Sequence, residues 1–153
     1  MVRYDAPETV ALIEQVQQEY VERYGEPDVT PTDAAEFAPP EGLFLVGYLD
    51  GAASAMGGWR ARAPEGEVLR VGDAEIKRMY VVRAARGRGL SRLMLAELER
   101  TAREAGHKRM VLETGIMQPE AIALYTSSGY TPMPEFGAYA GDAYSRHYCR
   151  ELT

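Results

Sequence analysis

The sequence predicts an α+β protein with a mixed, mostly antiparallel sheet of six to seven strands and helices on both faces. Residues 43–49 and 52–61 are predicted strands that flank Asp50-Gly51, a dipeptide that favours a two-residue hairpin turn. These two strands are therefore expected to be antiparallel. A strand–helix–strand unit over residues 73–114 predicts two parallel strands joined by a right-handed crossover. The sheet must therefore combine both orientations.

The N-terminal segment predicts a helix that follows a short first strand at residues 2–4. Asp5 is expected to cap this helix, with Pro7 in its first turn and Glu8 completing the spacing of a capping box. Gly25 is expected to end it. The apolar face predicted from the helical spacing consists of Val10, Ile13, Val16, Tyr20 and Val21.

The middle of the chain predicts loops around one strong helix. Residues 26–42 are rich in Pro, Asp and Thr and predict a loop with a short helical turn near residues 31–37, and residues 64–72 predict a flexible connection. The strongest helix signal covers residues 90–105 and stops at Gly106. Its predicted apolar face consists of Leu90, Leu93, Met94, Leu98 and Ala105, and a Glu99–Arg103 pair is expected on the other side.

The last third of the chain predicts three strands and one helix. Residues 109–114 predict a buried strand, and residues 119–128 a short helix closed by Gly129. Residues 130–133 and 144–151 are expected to be the last strands, joined by a loop that contains glycine and proline.

Length and composition predict a single domain over residues 1–153, located in the cytoplasm. The hydrophobic fraction of 46% and the charged fraction of 26% are ordinary for a globular protein, and a chain of this length buries a core without cross-links. The single cysteine, Cys149, excludes an intramolecular disulfide and favours a reducing compartment. Because no apolar stretch approaches about 18 residues and no apolar run follows a basic start, we expect neither a membrane span nor a secretory signal.

Charge is unevenly distributed along the chain. The net charge of −6 and the isoelectric point near 5.0 argue against broad nucleic-acid binding, which requires a basic surface. A group of basic residues nevertheless lies close together and predicts either one local anionic ligand or a solvated charge cluster. These residues are Lys77, Arg78, Arg83, Arg86, Arg88 and Arg92.

Residues 86–91, RGRGLS, stand between a predicted strand and the strongest predicted helix. The first amides of a helix lack internal partners and carry partial positive charge, and glycine lets an anion approach the backbone. The segment therefore predicts a phosphate or pyrophosphate site, although two glycines in a turn can also be only a turn. A Walker loop is excluded because its Gly-Lys-Ser/Thr end is absent, and Arg92 stands where the dinucleotide pattern needs a third glycine.

This loop and two neighbouring blocks resemble the GNAT superfamily of acyl-CoA-dependent N-acyltransferases. The family signature is Arg or Gln, two residues, Gly, one residue, and Gly or Ala. Arg86, Gly89 and Ser91 match it, with serine as a departure at the last position. EIKRMYVV over residues 75–82 is similar to the family's bulged central strand, and ETGIMQPEAIALYTSSGY over residues 113–130 to its strand-then-helix block. The three blocks follow the order and spacing of the family.

The resemblance implies acetyl-CoA as cosubstrate and a central pair of splayed parallel strands. The amides of Met79 and Val81 are expected to bind the pantetheine arm as an added strand would, and Gln118, where many relatives have Asn, to contact the same arm. The loop is expected to hold the pyrophosphate. The cofactor-binding residues implied are Met79, Val81, Arg86, Gly87, Arg88, Gly89, Leu90, Ser91 and Gln118.

Two residues are candidates for catalysis. Only a neutral amine is nucleophilic, and a lysine-like amine has a pKa of about 10.4, so a base must remove a proton. Glu75 matches a frequent glutamate position of the family and is the predicted base. Tyr125 matches the tyrosine near the cofactor sulfur and is expected to protonate or hydrogen-bond the leaving thiolate, while an amide near Met79 holds the oxyanion. The alternatives are that Glu75 pairs with Lys77 or an arginine, and that Tyr125 is an aromatic packed beside Ile122.

Other reactive side chains indicate no second kind of chemistry. Cys149 has no local sequence partner, and His107 and His147 are isolated. No metal-ligand spacing is present, so no metal is expected. Direct attack of the amine on the thioester is therefore predicted, without an acyl-enzyme.

The acceptor is expected to be a primary amine of a small molecule. The candidate lining residues combine arginines and aromatic rings, which suit a substrate with a carboxylate or a ring, although ordinary sheet packing explains each of them equally. They are Trp59, Arg60, Arg78, Tyr80, Phe136 and Tyr139. A peptide or protein acceptor, a non-catalytic acyl-CoA-binding module and, more distantly, a nucleotide-binding loop stay open as alternatives. Because the family often dimerises, a homodimer is a further open expectation.

Overall fold

The computed structural model describes residues 1–153 and confirms the α+β class with six strands. In chain order the elements are α1 (Pro7–Tyr24), a 3₁₀ helix (Ala34–Phe37), β1 (Gly42–Leu49), β2 (Ala52–Ala61), β3 (Asp73–Val81), a second 3₁₀ helix (Arg83–Ala85), α2 (Leu90–Glu104), β4 (Arg109–Gly115), α3 (Pro119–Ser127), β5 (Thr131–Pro132) and β6 (Ser145–Glu151). The strands form one sheet in the order β1-β2-β3-β4-β6-β5. None of the helices combines the length and the apolar composition that crossing a membrane requires.

The hairpin between β1 and β2 forms as predicted. Asp50 and Gly51 have φ values of 52° and 81°, the left-handed conformation that both central residues of a type I′ turn adopt. The two strands pair antiparallel along their whole length, with one register shift after Gly47. The hairpin therefore forms one edge of the sheet.

The predicted parallel pair forms between β3 and β4, but it is short. Pairing ends where Glu75 lies opposite Val111. Beyond this point Arg78 adopts a φ of 59°, and the register between β2 and β3 shifts. Such a bulge bends a strand and increases its twist. β3 and β4 therefore diverge towards their C-terminal ends and leave the splayed gap that the resemblance implies.

Helices cover both faces of the sheet. On one face, α2 and α3 pack over a core that includes Trp59, Leu98 and Tyr125. On the other face, α1 and the first 3₁₀ helix pack on Phe44 and its neighbours. Fully burying a leucine or phenylalanine side chain contributes about 1.5–3 kcal/mol, so the two layers fix the sheet from both sides.

The prediction for the first six residues is partly wrong. Val2 N–H donates to Phe44 O (2.9 Å), but residues 2–4 form no strand. Asp5 does not cap α1, because its carboxylate pairs with Arg3 (2.8 Å). Ala6 is the cap residue and supplies no side-chain hydrogen bond.

The buried face of α1 is rotated relative to the prediction. Val10 and Val21 are exposed, whereas Leu12 and Val16 are buried together with the polar residues Thr9 and Glu19. Apolar spacing misplaces the face because it does not count polar side chains that are buried with partners. The helix ends at the predicted glycine, Gly25, which has a φ of 82°.

The apolar face of α2 also differs from the prediction. Leu93 is 67% exposed and Ala105 is exposed, whereas Leu95 and Ala102 are buried. The helix runs to Glu104, and Gly106 follows with a φ of 94°, as expected of a residue that ends a helix.

The predicted Glu99–Arg103 pair is replaced by contacts between elements. Glu99 is 7% exposed, accepts a hydrogen bond from Tyr130 OH (2.8 Å) and pairs with Arg150 of β6 (3.0 Å). Glu99 therefore belongs to the buried side of α2 and joins that helix to β6, the strand next to the far edge of the sheet.

The last two strands are shorter than predicted. β5 is only two residues long and ends at Pro132, which has no amide to donate to a sheet ladder. β6 begins at Ser145, because Tyr144 is 59% exposed and lies in the preceding loop. α3 is followed by Gly129 with a φ of 89°, as predicted.

Candidate active site

Two cavities meet at the splayed strands. The larger, of about 620 Å³, opens between β3 and β4 beside the C-terminal half of α1. The smaller, of about 470 Å³, lies at the end of β2, the start of β3 and the loop after α1. Lys77, Glu113 and Tyr139 line both cavities and form the wall that they share.

The C-terminal half of β3 borders the gap left by β4. Val82 N–H donates to Ser54 O of β2 (2.9 Å). Since successive residues of a strand direct their amides to opposite sides, the N–H group of Val81 points away from β2. That is the side from which β4 has diverged. Of the two predicted pantetheine contacts, Met79 lines the larger cavity and Val81 lies beyond its lining. Their binding role stays a prediction.

The loop after β3 presents a row of unpaired amides. Gly89 caps α2 without a side-chain hydrogen bond, and the amides of residues 87–91 donate to no carbonyl group of the protein. Gly87 and Gly89 have φ values of 82° and 76°, and a Cβ added to either would meet nothing within 4 Å. This open, positively polarised surface fits a diphosphate. The other predicted ligands of the loop, Arg88, Leu90 and Ser91, are exposed or half-buried beside it.

The Arg86 side chain, a predicted cofactor ligand, contacts α1 and the end of β3 in this structure, and its binding role stays a prediction. Its Nη2 donates to both carboxylate oxygens of Glu19 on α1 (2.8 and 3.1 Å), and its Nε donates to Val81 O (3.0 Å). Arg83 also donates to Glu19 (3.2 Å). Burial raises the pKa of Glu19, but the hydrogen bonds from the two arginines outweigh it and hold that pKa below its ordinary value. Arg86 therefore fastens the loop to α1 and to the end of β3.

Tyr125 lies in the wall of the larger cavity. It is 6% exposed, and its hydroxyl is 3.8 Å from Met79 Sδ. Burial raises the pKa of Tyr125 well above its ordinary value, and the nearby charge of Glu113 adds to this effect. The hydroxyl therefore stays protonated at neutral pH and is a hydrogen-bond donor next to the β3 amides.

Gln118 joins the start of α3 to α1 across the larger cavity. Its Nε2 donates to Tyr24 OH (3.4 Å). A Cβ added to Gly115 would lie 1.9 Å from that hydroxyl, so only glycine allows Tyr24 to approach the end of β4 this closely. Gln118 thus lines the larger cavity, and its contact with the coenzyme arm stays a prediction.

Glu75 is held in a buried double ion pair. It is 3% exposed, and its Oε1 accepts from Arg60 Nε (3.0 Å) and Arg62 Nη1 (2.7 Å). Arg60 also donates to Glu36 (3.1 Å). Glu75 lines the smaller cavity but not the larger. Pairing with an arginine is the alternative to catalysis that the sequence left open, and the predicted role as base stays untested.

Glu113 is a candidate that the sequence analysis missed. It lies on β4 where the two cavities meet. Burial raises the pKa of Glu113 to about 7; the charge of Lys77 opposes this shift, and the charge of Asp28 adds to it. A carboxyl group that titrates near neutrality suits a general base. The sequence does contain a signal for it, because Glu113 is the single acid in the predicted buried strand MVLET. Burial disfavours the charged form of a carboxyl group and so raises its pKa.

Asp28, in the loop after α1, organises the shared wall. Its Oδ2 accepts from Lys77 Nζ (3.2 Å) and Arg78 Nη1 (3.3 Å), and its Oδ1 accepts from Tyr139 OH (3.0 Å). Burial raises the pKa of Asp28, but Lys77 and the hydrogen bonds from Thr30 outweigh burial and lower it to about 2. Asp28 therefore stays ionised and orients the two cations.

The predicted acceptor residues divide between the cavities and the packed layers. Arg78 lines the larger cavity, Arg60 and Phe136 line the smaller, and Tyr139 lines both. Trp59 does not line either. It is 3% exposed and packs under α2, where its Nε1 donates to Thr101 Oγ1 (2.9 Å). Successive side chains of β2 point to opposite faces, so Trp59 and Arg60 cannot share one.

Tyr80 also lies outside both cavities. It is 8% exposed and packs in the layer beneath α1. The guanidinium of Arg86 lies 5.6 Å from its ring centroid, a cation–π distance. Tyr80 therefore supports the loop after β3 and is not part of the acceptor lining.

Comparisons with known sequences agree with this geometry. A sequence model of the acetyltransferase (GNAT) family matches residues 10–130. A relative from Azospirillum brasilense, named IAA acetyltransferase, is 35% identical over 136 residues, which cover 89% of this chain and 85% of the relative.

Solved structures show the same fold. A protein from Klebsiella pneumoniae, provisionally described as an acyl-CoA N-acyltransferase, superposes with a TM-score of 0.79 at 29% identity over 99% of this chain and 94% of its own. The PaiA N-acetyltransferase of Thermoplasma acidophilum, solved with coenzyme A, has a TM-score of 0.59 at 14% identity over 72% of this chain and 61% of its own. The second likeness bears on the fold alone.

Proposed function

The chain belongs to the acetyltransferase (GNAT) family and is an acyl-CoA-dependent N-acyltransferase, and from this premise we propose that it acetylates the primary amine of a small molecule, with acetyl-CoA as donor. The observation that carries the proposal is that two cavities meet at Glu113. One of them has the features that a coenzyme arm needs. The other is a separate, charged chamber that leaves room for an acceptor.

The donor is proposed to occupy the larger cavity. Residues of β3 up to Met79 line this cavity, and unpaired amides and open glycines follow in the loop after β3. An extended pantetheine arm would pair with β3 as an added strand, and the diphosphate would accept from the loop. The thioester would then lie near Tyr125 and the shared wall.

Glu113 is the proposed base, in preference to Glu75. Both cavities reach Glu113, whereas Glu75 lines only the smaller one and accepts from two arginines. A primary amine enters mainly as an ammonium ion. Ionised Glu113 takes one proton from it, directly or through water, and the neutral nitrogen attacks the thioester carbonyl.

The departing thiolate is proposed to meet Tyr125. The C–N bond forms and the C–S bond breaks, and the leaving thiolate takes a proton from the Tyr125 hydroxyl. Tyr125 regains a proton from the nitrogen, which loses its second proton as it becomes the amide, so the products are the amide, free CoA thiol and protonated Glu113. Because burial raises the pKa of Tyr125, that hydroxyl keeps its proton until it is used. A β3 amide near Met79 would stabilise the oxyanion between these two steps.

An acceptor screen tests the proposal. Purified protein is given acetyl-CoA and a panel of small amines, peptides with free N-termini and lysine-containing peptides, and released CoA thiol is measured. We expect turnover with small amines and at least about a hundredfold loss in Glu113→Gln. Acetyl-CoA binding without turnover of any amine would overturn the enzymatic proposal, and turnover confined to peptides would overturn the small-molecule acceptor.

A further inference from the structure

We propose that the acceptor carries a carboxylate close to its amine, and that Arg62 and Lys77 bind this carboxylate in the smaller cavity. The inference rests on the proposed function and names the substrate class of the same site. The first observation is that the cations near the cavity outnumber the carboxylate oxygens that they contact. Arg60 and Arg62 both donate to Glu75 Oε1, and Lys77 and Arg78 both donate to Asp28 Oδ2.

Arg62 is the first cation with unused donors. It shares Glu75 Oε1 with Arg60, and only its Nη1 reaches that oxygen (2.7 Å). Arg60 has a second acid, Glu36, whereas Arg62 makes no other ion pair. A guanidinium has five N–H donors, so most of those of Arg62 are free to bind an anion. Its guanidinium lies 5.7 Å from the Phe136 ring centroid, and this contact holds it at the wall of the cavity.

Lys77 is the second cation with unused donors. Its ammonium group has three N–H donors, and its one ion-pair partner, Asp28 Oδ2, lies at 3.2 Å. Arg78 uses the same oxygen (3.3 Å). Because Lys77 lines both cavities, its remaining donors lie at the shared wall, where the amine must also arrive.

The charges at the smaller cavity and at the wall that it shares with the larger cavity favour a substrate that carries both a positive and a negative charge. Four cations face three acids, which leaves one positive charge while Glu113 is kept for the proton of the amine. An acceptor with only an ammonium group would add a positive charge to a partly buried wall, which is costly. A carboxylate offsets that charge. The cations are Arg60, Arg62, Lys77 and Arg78, and the acids are Asp28, Glu36 and Glu75.

The positions of Lys77 and Glu113 restrict the class of acceptor further. Lys77 and Glu113 belong to the same wall, so the carboxylate and the amine must be near each other, as they are in an α-amino acid. The rest of the smaller cavity offers apolar surface from Pro31, Ala61 and Phe136, which suits a side chain of modest size. The geometry therefore points to α-amino acids and close analogues.

Matched acceptors test this inference on the unmodified protein. Initial rates of CoA release are measured with phenylalanine, phenylalaninamide and phenethylamine, and with methionine and 3-(methylthio)propylamine. We expect kcat/KM for each amino acid to exceed that of its partner without a carboxylate by about tenfold or more, as charge-assisted hydrogen bonds allow. Equal or better turnover of the partners would overturn the carboxylate site.

A substitution then assigns the site. Arg62→Gln leaves Glu75 paired with Arg60, and we expect it to lower kcat/KM for the amino acids about tenfold while changing that for the plain amines less than twofold. Arg62→Lys should restore part of the preference. Arg70→Gln is the control, since Arg70 pairs with Glu151 at the surface, outside both cavities. An equal loss for acids and amines in Arg62→Gln would overturn the assignment.

Two readouts separate the failure of this inference from failure of the proposed function. Calorimetric binding of acetyl-CoA and turnover of any small amine report on the proposed function. The ratio of kcat/KM between an amino acid and its decarboxylated partner reports on the carboxylate site. A ratio near one with good turnover removes only the carboxylate site.

Discussion

The two cavities are built from different parts of the chain. The larger lies beside β3 where its neighbour strand diverges, and it is continued outside its lining by the unpaired amides of the loop after β3, with glycines at positive φ. The smaller depends on ionised side chains from the first 3₁₀ helix, the end of β2, β3 and β4. A backbone site tolerates many substitutions as long as the fold and two glycines are kept. A side-chain site changes its preference with a single residue, so the acceptor side is where specificity resides.

The largest effect should come from the backbone site. Gly89→Glu places a side chain and a negative charge among the loop amides, and strains a residue whose φ is 76°. We expect acetyl-CoA binding to fall below detection by calorimetry. Gly66→Glu is the matched control, since Gly66 also has a positive φ and free space but lies in the connection before β3. Equal binding by both variants would show that the loop does not hold the diphosphate.

The second-largest effect should come from Glu113, in the wall that the two cavities share. Because the pKa of Glu113 is raised to about 7, its carboxyl is protonated below that pH and cannot act as a base. With a plain amine of pKa about 10, kcat/KM of the wild type should rise to about pH 7 and then level off.

In Glu113→Gln no carboxylate removes the proton of the amine, so only amine molecules that are already neutral in solution can react. The rate should therefore be about 10²–10⁴-fold lower and continue to rise above pH 7. Glu75→Gln is the comparison, and it should keep the bend near pH 7. A bend that persists in Glu113→Gln but disappears in Glu75→Gln would return the role of base to Glu75.

Tyr125→Phe tests whether the Tyr125 hydroxyl, in the wall of the larger cavity, acts in turnover rather than in coenzyme binding. It removes a hydroxyl from a buried ring and leaves the packing of that ring in place. We expect kcat to fall by about tenfold or more, while the Kd of acetyl-CoA changes less than threefold. Stopped-flow or steady-state rates and calorimetry on the same sample measure both. An unchanged kcat would remove Tyr125 from the mechanism.

The smallest effect should come from the contact that supports the loop. Glu19→Gln weakens the charged hydrogen bonds to Arg86 and Arg83, so the loop should be less ordered before it binds. We expect the Kd of acetyl-CoA to rise a few-fold and kcat at saturation to stay unchanged. Glu22→Gln is the control, because Glu22 is more exposed and binds only Arg83. Identical Kd values for the two variants would contradict this role of Glu19.

The backbone half of the site could be predicted from sequence because its signals are local. Asp50-Gly51 predicts the hairpin turn, and RGRGLS between a strand and a helix predicts the anion-binding loop. In both segments glycine determines the conformation, with φ of 81° at Gly51 and 76° at Gly89. The antiparallel hairpin and the parallel pair were predicted from the order of the elements, and both are confirmed together with the fold class.

The side-chain half could not be predicted because its contacts join residues far apart in sequence. Asp28 meets Lys77 and Tyr139 only after the chain folds, and nothing near Asp28 in sequence indicates either partner. Trp59 and Arg60 are neighbours on opposite faces of β2, so assigning both to the acceptor was wrong for the tryptophan. The ion pair between Arg86 and Glu19 joins residues 67 positions apart, and no local pattern indicates it.

A crystal structure with acetyl-CoA tests the division between the two cavities most directly. We predict density for the diphosphate against the amides of residues 87–91, the pantetheine arm beside Met79 and Val81, and the thioester sulfur within hydrogen-bond distance of the Tyr125 hydroxyl. The smaller cavity should stay free of the coenzyme. Density for the coenzyme in the smaller cavity, or a diphosphate bound away from the loop, would contradict both the donor site and the acceptor site assigned here.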